Sequence, residues 1–330
     1  MTHDALGSHL LASVSRSFYL SIRVLPPSIR APISVGYLLA RTSDTIADSA
    51  QCPPALRQEF LHSFALMLSE GHRRGIDALQ RHIQPPDPAE ARLIAQLPAC
   101  LDWLDTLPKT DAACVRSVMA TIIEGQRLDL HRFADPLQTI ALPDASALEH
   151  YTYLVAGCVG EFWTQICLLH FPSYSDIPAH NLSQLGRDYG CALQLVNILR
   201  DLPADLRSGR CYLPADQLLA EGIAPSQLLL QPHAAAPLFN HWMHRAAALL
   251  QSGASYIHAI RPARVRIACF LPWRLGVKTL QKMRETPPLL TQTKVKVSRG
   301  EVGRALLLSA LVARSNFWLQ KLATPLHQHP

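Results

Sequence analysis

The sequence predicts an all-α protein. Apolar residues recur at three- and four-residue spacing along most of its 330 residues, which is the period of amphipathic helices. Alternating strand patterns are almost absent, and clusters of proline and glycine such as Pro85–Pro88 separate the periodic segments. With 48% hydrophobic and 17% charged residues, the chain has enough apolar material for a large core.

Helices are predicted wherever this period is sustained. The segments, in chain order, are Ile29–Asp48, Ala55–Glu70, Glu90–Leu107, Ala112–Phe133, Ala145–His170, Ser183–Leu202, Phe239–Ile260, Arg264–Arg284 and Ser298–Leu322. Asp111, Asp144 and Ser183 are placed to cap three of them, because short polar side chains accept hydrogen bonds from the first free backbone amides. Lys294–Val297 (KVKV) is an isolated candidate for an extended segment.

The domain organisation follows from the lack of any internal repeat or linker-like composition. We expect a single domain over residues 1–330, with a core over residues 10–285 and a helical tail over residues 293–323. Pro32–Ala40 and Gly190–Leu199 are apolar nearly all round, which predicts helices at the centre of a bundle.

The charge balance favours an anionic partner. The formal net charge is +6 and the pI is about 9.0, which suits diphosphates or acidic lipid headgroups. No run of Lys and Arg stands out, so nucleic-acid binding is not expected. The eight cysteines form no C-x-x-C pair, which predicts reduced core thiols and no zinc site.

The termini predict a cytoplasmic protein without a signal peptide or a transmembrane helix. The N-terminal stretch lacks a basic region and carries Asp4. Near the other end, the apolar run Ala305–Ala313 lies between Arg304 and Arg314 and is too short to span a bilayer. Peripheral contact with one side of a membrane stays open.

Asp44 and Asp48 form the first acidic pair, at the end of an apolar helical segment. At this spacing on a helix, the two carboxylates leave the same face about 6 Å apart at Cβ and repel each other unless a cation lies between them. Two ordinary surface aspartates at a helix end have the same spacing, so the pair alone leaves both interpretations open.

Asp201 and Asp205 repeat this spacing, and Asn197 lies one turn earlier. Oxygen ligands of this kind suit Mg²⁺, which binds few carboxylates together with water and substrate phosphates. Pro203 is expected to disturb the last turn and to shift Asp205. Exposed charges at a helix end are again the alternative.

An arginine accompanies each pair, Arg41 the first and Arg200 the second. Two aspartate pairs can hold Mg²⁺ ions that bridge to a diphosphate, while guanidinium groups bind the remaining phosphate oxygens. The metal ions then stabilise the charge of a leaving diphosphate. An apolar pocket between the helices is expected to hold a hydrocarbon tail.

Four stretches resemble the squalene/phytoene synthase family of head-to-head prenyl transferases, and they keep the family's order. They are SRSFYLSIRVLPPSIRAPISVGYLLARTSDTIAD (Ser15–Asp48), EGQRLDLHRF (Glu124–Phe133), YTYLVAGCVG (Tyr151–Gly160) and YGCALQLVNILRDLPADLRSGRCYLP (Tyr189–Pro214). Matches of this length are far more specific than an isolated aspartate pair.

The resemblance implies an isoprenoid-synthase helical bundle around a central cavity, with Mg²⁺ as cofactor. The implied metal ligands, also the catalytic aspartates, are Asp44, Asp48, Asp201 and Asp205, with Asn197 assisting. The implied substrate-binding residues are Ser15, Ser17, Phe18, Tyr37, Arg41, Gln194, Asn197, Arg200 and Arg210. Tyr151 matches the family's catalytic tyrosine, which hydrogen-bonds and manages a proton.

Two positions depart from the family's richer motifs, because Ala47 and Ala204 stand where a further carboxylate is common. The number of bound ions therefore stays open. Tyr151 is also compatible with a core tyrosine, and Arg210 with a surface charge after a turn. Gly157 and Gly160 are expected to permit close helix packing.

The segment TKVKVSRGEVGRALLLSAL (Thr293–Leu311) resembles squalene synthases more than phytoene synthases. We therefore expect two farnesyl diphosphates to join through presqualene diphosphate and to be reduced to squalene by NADPH. Lys294, Lys296 and Arg299 are candidate contacts of the NADPH phosphates, while a basic helix start or a membrane-surface patch explains them equally well. The sequence has no G-x-G-x-x-G motif, so a Rossmann-type nicotinamide site is excluded.

Several alternatives stay open at this point. The chain is also compatible with phytoene synthesis from two geranylgeranyl diphosphates, or with a relative that stops at presqualene diphosphate or forms hydroxysqualene. A terpene cyclase that acts on one prenyl diphosphate shares the aspartate motifs but not the Tyr151–Gly160 block. A non-enzymatic assembly factor of the same fold is disfavoured because both aspartate pairs are present.

Overall fold

Helices form nearly all the regular structure of the computed structural model, which describes residues 3–15, 17–135, 138–291, 294–315, 317–318 and 321. Of Asp4, Ser17 and Arg314 it describes the backbone only. The prediction of an all-α protein is confirmed.

The first part of the chain carries nine helices among the described residues. They are α1 (His3–Ala5), α2 (Leu11–Ser15), α3 (Ser17–Val24), α4 (Pro27–Ala47), α5 (Pro54–Glu70), α6 (Ile76–His82), α7 (Pro88–Ala95), α8 (Leu97–Asp105) and α9 (Lys109–Arg132). A π-helical stretch, Leu6–Leu10, lies between α1 and α2.

The rest of the chain adds two short strands and further helices. They are β1 (Ile140–Leu142), α10 (Ala145–Thr152), α11 (Cys158–His170), α12 (Ala179–Arg207), β2 (Arg210–Pro214), α13 (Ala215–Ala220), α14 (Ala236–Ala259), α15 (Ala263–Glu285), α16 (Pro288–Thr291) and α17 (Arg299–Arg314). A π-helical stretch, Tyr153–Gly157, joins α10 to α11, and a 3₁₀ turn lies at Pro225–Gln227.

The chain divides into two units, each with its own packing. The first comprises Met1–Arg132 and Phe162–Pro172, and the second comprises Phe133–Glu161 and Ser173–Pro330. The expectation of a single domain stays a prediction.

Helix α4 is central to the first unit, where it packs against α5, α8 and α9. It starts at Pro27, whose fixed φ suits the first helical position. Leu38 and Leu39 on its buried side are 0% exposed. Because the helix ends at Ala47, its last turn carries Asp44.

Helix α12 is central to the second unit, where it packs against α10, the second π-helical stretch, α14 and α15. The packing brings backbones into contact. A Cβ at Gly160 would lie 1.9 Å from the carbonyl oxygen of Gly186, and a Cβ at Gly190 would lie 2.2 Å from that of Ala156. Only glycine fits at such a crossing, so the packing role expected for Gly160 agrees with this geometry.

The two strands form a parallel pair in the second unit. Ile140 lies opposite Arg210, and the amide of Ile140 donates to the carbonyl of Gly209 at 3.0 Å. Gly209 has a φ of 80°, which reverses the chain between α12 and β2. Arg210 therefore stands at the start of a strand that immediately follows α12.

Most helix boundaries lie a few residues from the predicted ones, and one predicted segment and two predicted caps are wrong. The segment Glu90–Leu107 is two helices, because Pro98 has no amide hydrogen to continue the first one. Asp111 is not a cap: it lies inside α9, is 2% exposed and contacts His170 Nε2 at 3.0 Å. Ser183 is not a cap either, since α12 begins at Ala179 after a proline. The cap predicted at Asp144 is confirmed by its bond from the Ala147 amide, at 2.8 Å.

The predicted tail helix is shorter than expected. It begins after Ser298, which forms a reciprocal capping box with Glu301, and it ends at Arg314. The remainder of the prediction to residue 323 falls partly on residues 316, 319–320 and 322–323, which lie outside the described residues. The KVKV segment before it is neither helix nor strand, and its Val295 is buried.

One continuous helical stretch, Ala145–His170, is long and apolar enough to cross a membrane by length and composition. Its mean hydropathy is 1.2, and 44% of the window that meets the criterion is buried within the protein. Core helices of soluble proteins also reach these values, so the finding is weak evidence for a membrane span.

Candidate active site

The first acidic pair lies at the end of α4, in the first unit. Asp44 occupies the last turn, and Asp48 caps the helix with its amide donating to the Asp44 carbonyl at 2.8 Å. Arg41 Nη1 lies 3.8 Å from Asp44 Oδ2, and the other terminal nitrogen of Arg41 pairs with Glu90 of α7. Arg41 therefore lies beside Asp44, one of the two predicted aspartates, and it also pairs with Glu90.

The environment of Asp44 disfavours its charge. Burial, and next the negative charge of Asp48, raise the pKa of Asp44 from 3.8 to about 6. Its side chain is nevertheless 46% accessible, so solvent reaches this carboxylate. Gln126 of α9 supports it by donating from Nε2 to Asp44 Oδ1 at 2.6 Å. Gln126 Oε1 is buried and has no hydrogen-bond partner among the described residues.

An aromatic pair lies earlier on the same unit. Phe18 stacks on Tyr37 with ring centroids 5.2 Å apart, and the Tyr37 hydroxyl donates to the Val14 carbonyl at 3.4 Å. Burial raises the pKa of Tyr37 to about 12, so its hydroxyl is neutral at physiological pH. Ser15 is buried and donates to a backbone carbonyl of its own helix at 2.6 Å. The side chain of Ser17 lies outside the described residues.

The second acidic pair lies on the last turns of α12, in the second unit. The helix continues through Pro203 to Arg207, so the predicted disturbance does not end it before Asp205. Asn197 lies one turn before Asp201 and is half-buried. Asn197, Asp201 and Asp205 therefore follow one another along one helix at four-residue spacing.

Two cations hold Asp201. Arg200 forms a bidentate pair with it, in which Nε lies 3.0 Å from Oδ1 and Nη2 lies 2.6 Å from Oδ2. Lys294 Nζ lies 3.1 Å from Oδ1. Burial acts to raise the pKa of Asp201, but the hydrogen bonds and charges of Arg200 and Lys294 outweigh it and lower that pKa below its usual value.

Tyr151 lies in an aromatic cluster of the second unit. Its ring stacks on that of Tyr212 with centroids 4.8 Å apart, and the two hydroxyls are 3.4 Å apart. Phe133 meets Tyr212 edge-on at 5.3 Å. Tyr151 is 8% exposed, so this α10 residue and a β2 residue form a nearly buried pair of phenols.

Comparison with known proteins decides the family. The squalene/phytoene synthase family model matches residues 11–301. The chain belongs to the squalene/phytoene synthase family. The match includes both acidic pairs and Tyr151.

Two curated relatives illustrate the range of the family. The chain is 30% identical over 237 residues to a bifunctional lycopene cyclase/phytoene synthase of Colletotrichum graminicola, which covers 68% of this chain but only 36% of that protein. It is 31% identical over 245 residues to a presqualene diphosphate synthase of Sinorhizobium fredii, which covers 72% of this chain and 75% of that protein. The chain thus spans about a third of the length of the fungal relative.

A solved structure supports the fold. The protein TcSQS in complex with a ligand superposes with a TM-score of 0.79, covering 98% of this chain and 91% of that one, at 19% identity. At this identity the likeness shows the helical fold that squalene/phytoene synthases share.

The other predicted residues fall on several elements of this family member. Gln194 is half-buried on α12, and Arg210 opens β2. The backbone carbonyl of Lys296 accepts a bond from Lys282 Nζ at 3.0 Å, and Arg299 is the exposed first residue of α17. Their roles in binding stay predictions.

Three residues that contact predicted site residues were not singled out from the sequence. Gln126 lies in the weak Glu124–Phe133 block, and Tyr212 lies in the last family block, so both positions were inside recognised motifs. Glu90 lies outside every recognised block, and only its ion pair with Arg41 reveals it.

Proposed function

We propose that this chain joins two farnesyl diphosphates head to head in a Mg²⁺-dependent reaction, through presqualene diphosphate, and reduces the product to squalene with NADPH. The observation that carries the proposal is the repeated arrangement of two aspartates one helical turn apart beside an arginine, at the ends of α4 and α12. Membership in the squalene/phytoene synthase family supports the proposal, because head-to-head condensation is the reaction that such aspartate pairs serve in this family.

The residues present fit a magnesium ion. The charge of Asp48 helps to raise the pKa of Asp44, and a bound divalent cation would offset that repulsion. Gln126 Oε1, a buried oxygen without a partner among the described residues, is a further hard donor beside Asp44.

A substrate diphosphate completes the coordination in this proposal. Among the described residues no group of three or more His, Cys, Asp or Glu side chains can hold a metal on its own. Mg²⁺ characteristically keeps water and substrate phosphates as ligands, so two carboxylates per site suffice. Bound Mg²⁺ supplies stabilisation of the charge that develops on the departing diphosphate.

The protein's own cations are placed to exchange partners. Arg41 and Arg200 are each held by a carboxylate, Glu90 and Asp201 respectively, which keeps their guanidinium groups oriented before substrate binds. A guanidinium fork matches two phosphate oxygens at once, so we assign these two arginines to diphosphate binding. Ser15, Ser17, Gln194, Asn197 and Arg210 are proposed as further contacts.

The phenol pair is proposed to serve the carbocation steps. The stacked rings of Tyr151 and Tyr212 present π faces, which attract cationic centres at short range. Closure of the cyclopropane ring releases a proton. The adjacent hydroxyls of the same two residues are proposed to accept this proton and pass it on. Phe18 and Tyr37 are proposed to border a prenyl chain.

The final product distinguishes two candidates. Reduction to squalene requires NADPH. Of the three phosphate contacts predicted from the sequence, Lys294, Lys296 and Arg299, we propose Lys296 and Arg299, because Lys294 is bound to Asp201. Release of presqualene diphosphate is the second candidate, favoured by the Sinorhizobium fredii relative, with which this chain shares the larger mutual coverage.

Product analysis by mass spectrometry tests the proposal. Purified protein receives farnesyl diphosphate and Mg²⁺, with and without NADPH, beside an Asp201→Asn variant as control. Squalene formed only with NADPH and only by the wild type is expected. Presqualene diphosphate or hydroxysqualene that NADPH leaves unchanged would remove the reductive step. If the protein forms phytoene from geranylgeranyl diphosphate and does not turn over farnesyl diphosphate, the proposed substrate is wrong. Cyclic products from one prenyl diphosphate would overturn head-to-head condensation.

The proposed setting is the cytoplasm, with peripheral membrane contact through α17. Leu307 and Leu311 lie one turn apart on this helix and are 76% and 42% exposed, and Phe317 beyond it is 63% exposed. Arg304 on the same helix is also exposed. Apolar side chains flanked by basic ones suit the surface of an anionic bilayer, where an insoluble hydrocarbon product would be released.

A further inference from the structure

Lys294 is bound to the second acidic pair, although the sequence suggested a place for it at a nicotinamide phosphate. Its Nζ lies 3.1 Å from Asp201 Oδ1, the oxygen that also accepts from Arg200 Nε at 3.0 Å. Arg200 Nη2 takes one site on Oδ2 at 2.6 Å. A carboxylate offers about four lone-pair sites, so three of those on Asp201 are occupied by cationic donors.

The segment that carries Lys294 is anchored independently of this ion pair. Val295, the next residue, is buried. Lys282 of α15 donates to the Lys296 carbonyl at 3.0 Å and pairs with Glu301 at 2.8 Å. The contact between Lys294 and Asp201 can therefore break and re-form while the backbone of residues 295–298 stays in place.

The exposure of Lys294 favours such an exchange. Its side chain is 57% exposed and that of Asp201 is 24% exposed, so water can solvate the ammonium when it leaves, while Asp201 keeps its bonds from Arg200. The lysine head is a point charge on a flexible four-carbon stem, which suits it to follow a moving anion. A doubly ionised diphosphate is a stronger partner for it than a carboxylate that also binds a metal.

We propose that Lys294 is a diphosphate-binding residue that exchanges partners: its ammonium neutralises Asp201 while no diphosphate is bound, and it moves to the diphosphate when a metal–diphosphate complex occupies the second acidic pair. This inference rests on the proposed function of the pair. It assigns Lys294 to diphosphate binding and leaves Lys296 and Arg299 as the proposed nicotinamide contacts.

The exchange predicts opposite effects of one substitution on two ligands. Lys294→Met removes a cation that competes for Asp201, so the variant should bind Mn²⁺ alone about two- to fivefold more tightly, as measured by the electron paramagnetic resonance of free Mn²⁺. The same variant loses a diphosphate contact, so it should bind inorganic pyrophosphate with Mg²⁺ about two- to fivefold more weakly in calorimetry.

Two control variants separate this role from simpler ones. Lys109→Met makes the same chemical change at an exposed lysine that begins α9, and should move neither affinity. Lys294→Arg keeps the charge and should return both affinities toward those of the wild type. Circular dichroism of each variant checks that the helical fold is retained.

The outcomes distinguish failure of this inference from failure of the proposed function. Affinities for Mn²⁺ and for Mg²⁺–pyrophosphate that are both unchanged in Lys294→Met, or that shift in the same direction, would overturn the exchange while leaving head-to-head condensation intact. Wild-type protein that binds neither Mn²⁺ nor Mg²⁺–pyrophosphate would instead overturn the proposed metal and diphosphate sites themselves.

Discussion

Asp44, a proposed metal ligand, carries its negative charge at a cost in stability. Its pKa is raised from 3.8 to about 6, so the native state holds this proton more tightly than the unfolded chain does. The free energy of unfolding therefore falls as the pH rises from about 4 through about 6, and the loss is complete at higher pH.

The substitution Asp44→Asn removes this pH-dependent loss of stability, and the amide oxygen of the asparagine still accepts a hydrogen bond from Gln126. In metal-free buffer the variant should melt at a higher temperature than the wild type at pH 8, and the difference should vanish near pH 4.

Mg²⁺ supplies the control for this prediction. Added Mg²⁺ should raise the melting temperature of the wild type at pH 8 and affect Asp44→Asn less, because a ligand that binds only the folded state stabilises it by mass action. A variant that is less stable than the wild type at pH 8 without metal would show that Asp44 contributes favourable contacts which outweigh its charge.

Single residues also show where sequence reasoning ends. The turn-length spacing of Asp44 and Asp48 could be predicted because it depends only on one helix. Their partners could not, because Gln126 and Glu90 reach the cluster from α9 and α7, 82 and 49 residues away from the groups they contact. Likewise Lys294 reaches Asp201 through tertiary packing that no local pattern encodes.

At the scale of elements, the crossing of α11 and α12 depends on glycine. A Cβ on residue 160 would lie 1.9 Å from a backbone oxygen, and neither backbone can yield locally. Gly160→Ala should lower the free energy of unfolding by about 1–3 kcal/mol, because overpacking outweighs the better helix propensity of alanine. The midpoint of urea unfolding measures this change.

Gly303 on α17 is the matched control. Among the described residues, apart from its own helix backbone and chain neighbours, no atom lies within 4 Å of a Cβ built there. Gly303→Ala should therefore raise the free energy of unfolding by about 0.5–1 kcal/mol through helix propensity alone. Equal effects of the two substitutions would contradict the assignment of Gly160 to a backbone crossing.

Helix types were easier to predict than helix ends. The apolar period located most of the long helices, but α12 continues past Pro203 because Leu202 and Leu206, at 0% and 6% exposed, hold the last turns in the core. Packing there outweighs the lost backbone bond. The strands β1 and β2 were not predicted because segments of three and five residues are too short to show the alternating pattern of a strand.

On the scale of the whole molecule, family membership extends across both units, since the matched residues 11–301 include parts of each. The fold class followed from periodicity alone, whereas the choice of product stays a proposal because no local pattern of the sequence encodes it. The net charge of +6 acts on a longer range and favours anionic surfaces.

The membrane contact proposed for α17 depends on the positive net charge and on the exposed apolar face of this helix. The wild type should co-sediment with vesicles that contain phosphatidylglycerol, and less with neutral vesicles or in high salt, because Arg304 and the net charge interact with the headgroups. The double variant Leu307→Glu, Leu311→Glu should lower vesicle binding by about tenfold or more, since each leucine withdrawn from the interface forfeits roughly 1–2 kcal/mol.

Exposed leucines elsewhere provide the comparison. Leu219 and Leu230 are 79% and 80% exposed, so the double variant Leu219→Glu, Leu230→Glu adds the same charge at other surface positions. It should keep most of the vesicle binding if α17 is the contact surface. An equal loss of vesicle binding in both double variants would show that the change in net charge, and not the α17 surface, causes the loss. Vesicle binding unchanged in the α17 variant, with self-association lost in sedimentation velocity, would instead assign this face to a second copy of the chain.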